Sequence, residues 1–383
     1  MQAYITGAGV VTSSGVGVES LRQDLHKCET ESPPTSYLVD NDCYPYASLP
    51  SAFNNYEPEV DADILDVCLN ELMATSGLSK ELIRSPDTAL LLGLTIGPQF
   101  RWSNQEELNE QDFAINFETL PEHITLQVVA ERWGITGMRF AVNAACASSA
   151  IAVGVACELL ASGIVNRVLV GGCEHLNYFD ILGFKSSKLL ALNKCRPFDV
   201  NRNGIMLGEG GGLLLIEKKP SIINFARIRS WATTNDRYDM ACPDPEGKGL
   251  ANCISMAMIR GDLSPMEIDY VNAHGTGTLA NDSSESHAFN GFWSNEISSV
   301  LVSSTKGLHG HLRGAAGVVE LLISIIALQD NIAPITRGCV QVDPVCTWNC
   351  VTGKPIYRQI KVAMSVSRGF GGMNTAIIIE KPY

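Results

Sequence analysis

The sequence predicts an α/β protein made of two similarly ordered halves, and three observations carry that prediction. Short apolar runs of strand length alternate with longer stretches of helical spacing. Glycine loops follow the strands in the same order in both parts of the chain, which suggests duplication. Apolar residues make up 45% of the chain and charged residues 18%, with 34 glycines and 17 prolines, the balance of an α/β enzyme rather than a disordered or fibrous protein. A length of 383 residues suits two units of similar size. An expected strand at 213–217 closes the first, so the halves are residues 1–218 and 219–383.

The elements follow in order. Residues 2–10 read as a strand, and residues 15–27 have helical spacing. Residues 29–59 are polar with prolines and aromatics, and read as irregular surface structure. An amphipathic helix is expected over 62–73, a buried strand over 87–94 and a helix over 124–133. The polar stretch 95–122 could cover an opening. A short alternating run at 138–142 reads as a strand, and an apolar, small-residue run from Ala147 as a buried helix. Another buried strand is expected over 165–172. In the second half the pattern repeats, with strands over 225–232, 269–273, 300–304, 361–365 and 375–380 and helices over 249–260 and 315–329.

Cys146 stands where strand meets helix. There it faces unpaired backbone N–H groups and the positive end of the helix dipole, which favours thiolate. The small residues Ala144, Ala145, Ala147, Ser148 and Ser149 let the backbone turn sharply, as at a nucleophile elbow. Among twelve cysteines, the bland alternative is a small core side chain. Three glycine loops of the second half carry groups suited to a shared site: VNAHGTGT with His274, SSTKGLHGHLRGAAG with Lys306, His309 and His311, and RGFGG with Phe370. Such loops gather beyond the C-terminal ends of strands in open sheets. Each histidine could equally be an ordinary hydrogen-bonded residue, and the HxH at 309–311 half of a metal site. No HExxH, CxxC or acid cluster accompanies it, so no metal is expected. The glycine content of the stretch 192–212 is only a weak nucleotide signal.

The net charge of −13 opposes a general nucleic-acid or anionic-membrane binder. The opening MQAYITGAGVV lacks a basic segment and reads as a first strand rather than a signal peptide. No apolar run approaches the ~18 residues of a membrane span, so the expected setting is the cytoplasm, with reduced thiols.

Together these motifs resemble the β-ketoacyl-[acyl carrier protein] synthases, condensing enzymes of the thiolase superfamily, over essentially the whole chain. The resemblance rests on ACASS at Cys146, RPFDVNRNGIMLGEGGG from Arg196, PDPEGKG from Pro243, HGTGTLAND at His274, STKGLHGHLRGAAGVVE from Ser304 and GFGG at Gly369. It implies a duplicated thiolase-like fold, layered αβαβα with two mixed five-stranded sheets. It also implies an acyltransferase that condenses malonyl carrier, with loss of carbon dioxide, onto an acyl group held on Cys146 in type II fatty acid or polyketide biosynthesis. Cys146 matches the nucleophile, His274 and His311 the pair that stabilises the enolate, and Lys306 and Glu320 a supporting ionic pair. Phe370 matches a gating residue whose N–H joins that of Cys146 in an oxyanion hole. No cofactor is implied beyond the phosphopantetheine of the carrier.

The implied partners are an acidic acyl carrier protein and a second subunit, either a copy or a related synthase, paired along the run at 140–143. Lys185, Lys188, Lys194, Arg196 and Arg202 form a basic cluster suited to that carrier. Arg313 and Arg368 stand where the family is usually apolar. Buried beside an acyl chain they would be costly unless each finds an acid or faces water, a difficulty that a heterodimer removes. The rival to an active synthase is a chain-length-factor-like subunit of a heterodimer, and the retained Cys146, His274 and His311 favour catalysis.

Overall fold

The computed structural model describes residues 3–28, 35–39, 42–51, 60–95, 123–293 and 299–382. Apart from Thr95, the expected cover at 95–122 lies outside them. Ten strands carry the architecture. Those of the first half are β1 (Tyr4–Thr12), β2 (Thr88–Gly93), β3 (Arg139–Val142), β4 (Arg167–Glu174) and β5 (Gly210–Glu217). Those of the second are β6 (Ala226–Asn235), β7 (Tyr270–Asn272), β8 (Leu301–Ser303), β9 (Val362–Gly369) and β10 (Met373–Glu380).

The first half has the order β3-β2-β4-β5-β1 and the second β8-β7-β9-β10-β6. In both, the first and fourth strands flank the last one antiparallel, while the fourth, second and third run parallel. The second half therefore repeats the first strand for strand, as the glycine loops suggested. Each sheet is mixed and has five principal strands. The two meet through β1 and β6 over the pairs Tyr4–Arg227 and Ile5–Ala226, so the ladder runs on from one sheet into the other. Asn349–Cys350 adds an edge beside β8.

Six helices make the other layers: α1 (Val60–Ser76), α2 (His123–Trp133), α3 (Ser148–Ala161), α4 (Lys248–Gly261), α5 (Leu279–Trp293) and α6 (Ala316–Asp330). α3 and α6 lie between the sheets. Their sequences, SSAIAVGVACELLA and AGVVELLISIIALQD, are apolar nearly all round and buried nearly all round, as a helix enclosed on every side must be. α1 and α2 pack in a second apolar cluster on the outer face of the first sheet, and α4 and α5 in a third on the outer face of the second. The result is the expected αβαβα layering.

Two stretches differ from the sequence expectation. Residues 29–59, read as irregular, include the antiparallel strands Thr35–Val39 and Asp42–Ala47, short runs rich in aromatic and β-branched residues. α5 was not expected at all. Its sequence LANDSSESHAFNGFW buries Asn281, Asp282, Ser284, Glu285 and Ser286, so its inward face is polar and hides the apolar period by which helices are recognised.

The duplication brings equivalent loops together. β3 leads through Cys146 into α3, and β8 leads through Lys306 and His311 into α6. The two helices start side by side, where the Ser149 hydroxyl accepts from the Val318 N–H at 3.0 Å. At Gly93, a Cβ would lie 2.2 Å from the Ser149 N, so only glycine lets β2 end against the first turn of α3.

Candidate active site

Cys146 is buried immediately ahead of α3. The turn before it is strained: Ala145 has φ 51°, a left-handed conformation that costs an L residue about 1–2 kcal/mol. Ser148 pins that turn, its hydroxyl accepting from the Ala144 N–H at 2.9 Å and donating to the Ala145 carbonyl at 2.5 Å. The dipole argument for a resting thiolate does not prevail. Burial pushes the Cys146 thiol up to about 12, against the pull of the Lys306 and Arg313 charges. Loss of solvation outweighs the favourable field. Alkylation of Cys146 by iodoacetamide is accordingly expected to be still accelerating with pH at about pH 9, because the thiolate is the reacting form. A rate plateau near neutrality, measured by mass spectrometry of the labelled peptide, contradicts this.

Cys146, His274 and His311 line one cavity together with Phe370. The imidazoles meet edge to face, with centroids 5.3 Å apart. Lys306 sets the state of the first. Its ammonium donates to the His274 carbonyl at 2.6 Å, lies 3.3 Å from His274 Nδ1 and also donates to Glu320 Oε1. Its three donors thus meet three acceptors, which makes His274 Nδ1 an acceptor and leaves the proton on Nε2. His311 Nδ1 likewise accepts from the Arg313 N–H at 3.0 Å, so His311 is also the Nε2–H tautomer. Burial and the Lys306 charge hold both imidazoles well below the usual histidine range, and both are neutral donors at neutral pH. Burial raises Glu320 to about 7, and Lys306 opposes that rise.

His309 is excluded from this role. Its Nδ1 donates to the Gly310 carbonyl at 2.8 Å, and its Nε2 lies 3.0 Å from the Thr305 hydroxyl. Both nitrogens are satisfied within its own turn.

The loop bearing His274 hangs from α5. Glu285 accepts the N–H groups of His274 and Gly275, each at 2.8 Å. Asp282 accepts those of Thr276 and Phe198. Neither acid was identified from the sequence. The available signal was a capping pattern, in which the Thr278 hydroxyl accepts from the Asn281 N–H at 3.4 Å.

The loop bearing Phe370 presses on the turn that holds Cys146. A Cβ at Gly369 would stand 2.5 Å from the Ala144 carbonyl oxygen and 3.3 Å from the Cys146 N, an approach open only to glycine. Phe370 is 41% exposed, and its ring leans on Phe184, with centroids 5.9 Å apart, a placement suited to a gate.

The two arginines that depart from the family pattern both find acids. Arg313 pairs with Asp180 at 3.2 Å and Glu174 at 3.7 Å, and Arg368 pairs with Asp236 at 3.1 Å. The burial cost that favoured a heterodimer is therefore met within the chain. The basic cluster needs one correction. Lys185, Lys188, Lys194 and Arg196 reach the surface in whole or part, but Arg202 is buried, 2.5 Å from Asp343 and 2.9 Å from the Ser283 hydroxyl. It ties loops together and offers no surface charge. Among the described residues no group of side chains is suited to a metal ion, and no helix is long and apolar enough to cross a membrane.

Comparison with known proteins places this site in a family. Residues 58–221 match the N-terminal domain of beta-ketoacyl synthases, and residues 225–339 match their C-terminal domain. A 3-oxoacyl-[acyl-carrier-protein] synthase 2 of Staphylococcus aureus (strain COL) is 33% identical over 273 residues, covering 68% of this chain and 66% of the relative. The synthase of that name from Coxiella burnetii is 28% identical over 411 aligned residues, covering 100% of this chain and 99% of its own. The fold is that of the ishigamide ketosynthase/chain length factor, with TM-score 0.84 at 22% identity over 100% of this chain and 99% of that one. Since the matched models take in both the half that holds Cys146 and the half that holds His274 and His311, this chain belongs to the β-ketoacyl synthase family of condensing enzymes.

Proposed function

We propose that the chain is a β-ketoacyl-[acyl carrier protein] synthase of a type II fatty acid or polyketide system. The observation that carries this reading is the pair of neutral imidazoles, each with its proton held on Nε2, in the cavity that Cys146 lines. In the first stage Cys146 attacks a carrier-bound thioester. The carrier sulfur leaves and takes up the thiol proton, and the acyl group stays on Cys146. In the second stage malonyl carrier loses carbon dioxide. The resulting enolate oxygen accepts from the two Nε2–H groups, which stabilise it without protonating the reacting carbon. That carbon attacks the acyl-Cys146 carbonyl. The backbone N–H groups of Cys146 and Phe370 hold the tetrahedral oxyanion, and its collapse returns Cys146 as a thiolate that takes up one proton. The acyl groups travel on the carrier's phosphopantetheine, and no other cofactor enters. All three reacting groups are present, which supports this role over that of a non-catalytic chain length factor.

The test is incubation of the protein with acyl and malonyl carriers. Carbon dioxide and a 3-oxoacyl carrier are expected in equal amounts, and release of neither refutes the reading.

The carrier docks beside the gate in this account. Lys185 lies one residue from Phe184, the ring under Phe370. Reversing the charge at Lys185 and Lys188 is expected to raise the KM for carrier-bound substrate several-fold, more at low salt where screening is weaker. An unchanged KM assigns these lysines to the solvated surface.

The working unit is a dimer in the same account. β3 is the outermost strand of its sheet, and Met138 just before it and Phe140 within it expose 38% and 39% of their surface. An exposed edge of this kind is stabilised by pairing, so light scattering at micromolar concentration should give twice the chain mass. A monomer that retains full activity refutes this.

A further inference from the structure

We propose that Arg313 is a positioning residue for His311, its side chain holding the backbone from which its own N–H fixes the imidazole. The inference rests on the function proposed above for His311.

Arg313 has φ 46°, in the left-handed region that residues other than glycine rarely adopt. In that conformation its N–H reaches His311 Nδ1 at 3.0 Å. Something must compensate the strain, and the side chain is built to do so. It is among the largest fully enclosed side chains. Nη1 donates to the Gly208 carbonyl at 3.0 Å, Nη2 to the His175 carbonyl at 2.6 Å, and Nε lies 3.2 Å from Asp180. Glu174 adds a second carboxylate and also accepts the Gly314 N–H at 3.1 Å.

The clamp therefore joins the histidine loop of the second half to the end of β4 in the first. Its acid Asp180 lies on the short helix Tyr178–Ser186, which also carries Phe184 beneath the gate. The His311 main chain is held separately, its N–H donating to the Met206 carbonyl at 2.7 Å and its carbonyl accepting from the Gly208 N–H at 3.2 Å. Loss of the clamp therefore frees the ring without releasing the His311 main chain. The planar fork of arginine spans two carbonyls and an acid at once, which an ammonium cannot do.

The experiment uses the full chain and two variants, Arg313→Lys and Arg313→Leu. Circular dichroism establishes that each is folded. Imidazole 15N NMR reads the tautomer of His311, and parallel assays follow Cys146 acylation and malonyl decarboxylation. In wild type His311 should be the single Nε2–H form. In Arg313→Lys the tautomers should mix and decarboxylation fall at least about tenfold, with acylation within about threefold of wild type. Arg313→Leu, if folded, should show the larger loss. Arg313→Lys with a wild-type His311 spectrum and full decarboxylation overturns the proposal. If wild type itself releases no carbon dioxide, the assigned function fails, and the NMR comparison still decides whether Arg313 orients His311.

Discussion

Replacing Cys146 by alanine is expected to lower condensation at least about 1,000-fold while the protein stays folded, because no other group can carry the acyl chain between the two stages. The substitution removes one atom from a small side chain in a turn whose geometry is held by Ser148 and by the approach of Gly369, neither of which uses the sulfur. The histidines and their supports remain, so the variant should still release carbon dioxide from malonyl carrier without forming product. A thermal melt close to that of wild type, with condensation lost and carbon dioxide retained, is the expected pattern. Condensation by the alanine variant within tenfold of wild type contradicts the assignment of the nucleophile.

The histidine variants should show the reverse pattern. His274→Ala and His311→Ala are each expected to accept an acyl group on Cys146 but to lose decarboxylation about 100- to 1,000-fold, the usual effect of removing one preorganised oxyanion donor. His309→Ala is the control: its nitrogens serve Thr305 and Gly310, so its loss should cost stability more than chemistry.

The pH dependence follows from the same geometry. Burial and Lys306 hold both imidazoles well below the ordinary histidine value of 6.5. A depressed folded-state pKa keeps the neutral form as pH falls through that value, so activity is lost only on approach to the depressed pKa, whereas stability declines from about pH 6.5 downward because the unfolded chain takes up its protons first. Decarboxylation should therefore persist on the acid side of pH 6.5, where a free imidazole would already be charged. An acid limb centred on 6.5 in single-turnover assays contradicts neutral donors held by Lys306.

Most of the fold was legible because its central helices and buried strands are apolar runs of clearly different length. α6 and the strands of the first sheet are instances, differing from expectation by a few residues at their ends. His274, Lys306, His311 and Phe370 were legible because glycine loops surround them, and Cys146 because small residues flank it where strand meets helix. What the sequence concealed depends on distant contacts. α5 was hidden because the face it buries carries Asp282 and Glu285, which spend their hydrogen bonds on the His274 loop rather than on an apolar core. Arg202 looked like surface charge until Asp343 and Ser283 closed on it. Arg313 and Arg368 looked costly because Glu174, Asp180 and Asp236 are remote in the chain. The charge state of Cys146 was misjudged for a related reason. A helix N-terminus is visible in sequence, but the depth of burial that overrides it is not.

The central claim is that Cys146 carries an acyl group that the two histidines then allow malonyl carrier to remove. Intact-protein mass spectrometry tests it most directly. After incubation with acyl carrier the chain should gain the mass of one acyl group, mapped to the peptide containing Cys146. Addition of malonyl carrier should return it to its original mass as 3-oxoacyl carrier forms. A chain that gains no acyl mass, or one whose acyl group stays in place after malonyl carrier is added, contradicts the account.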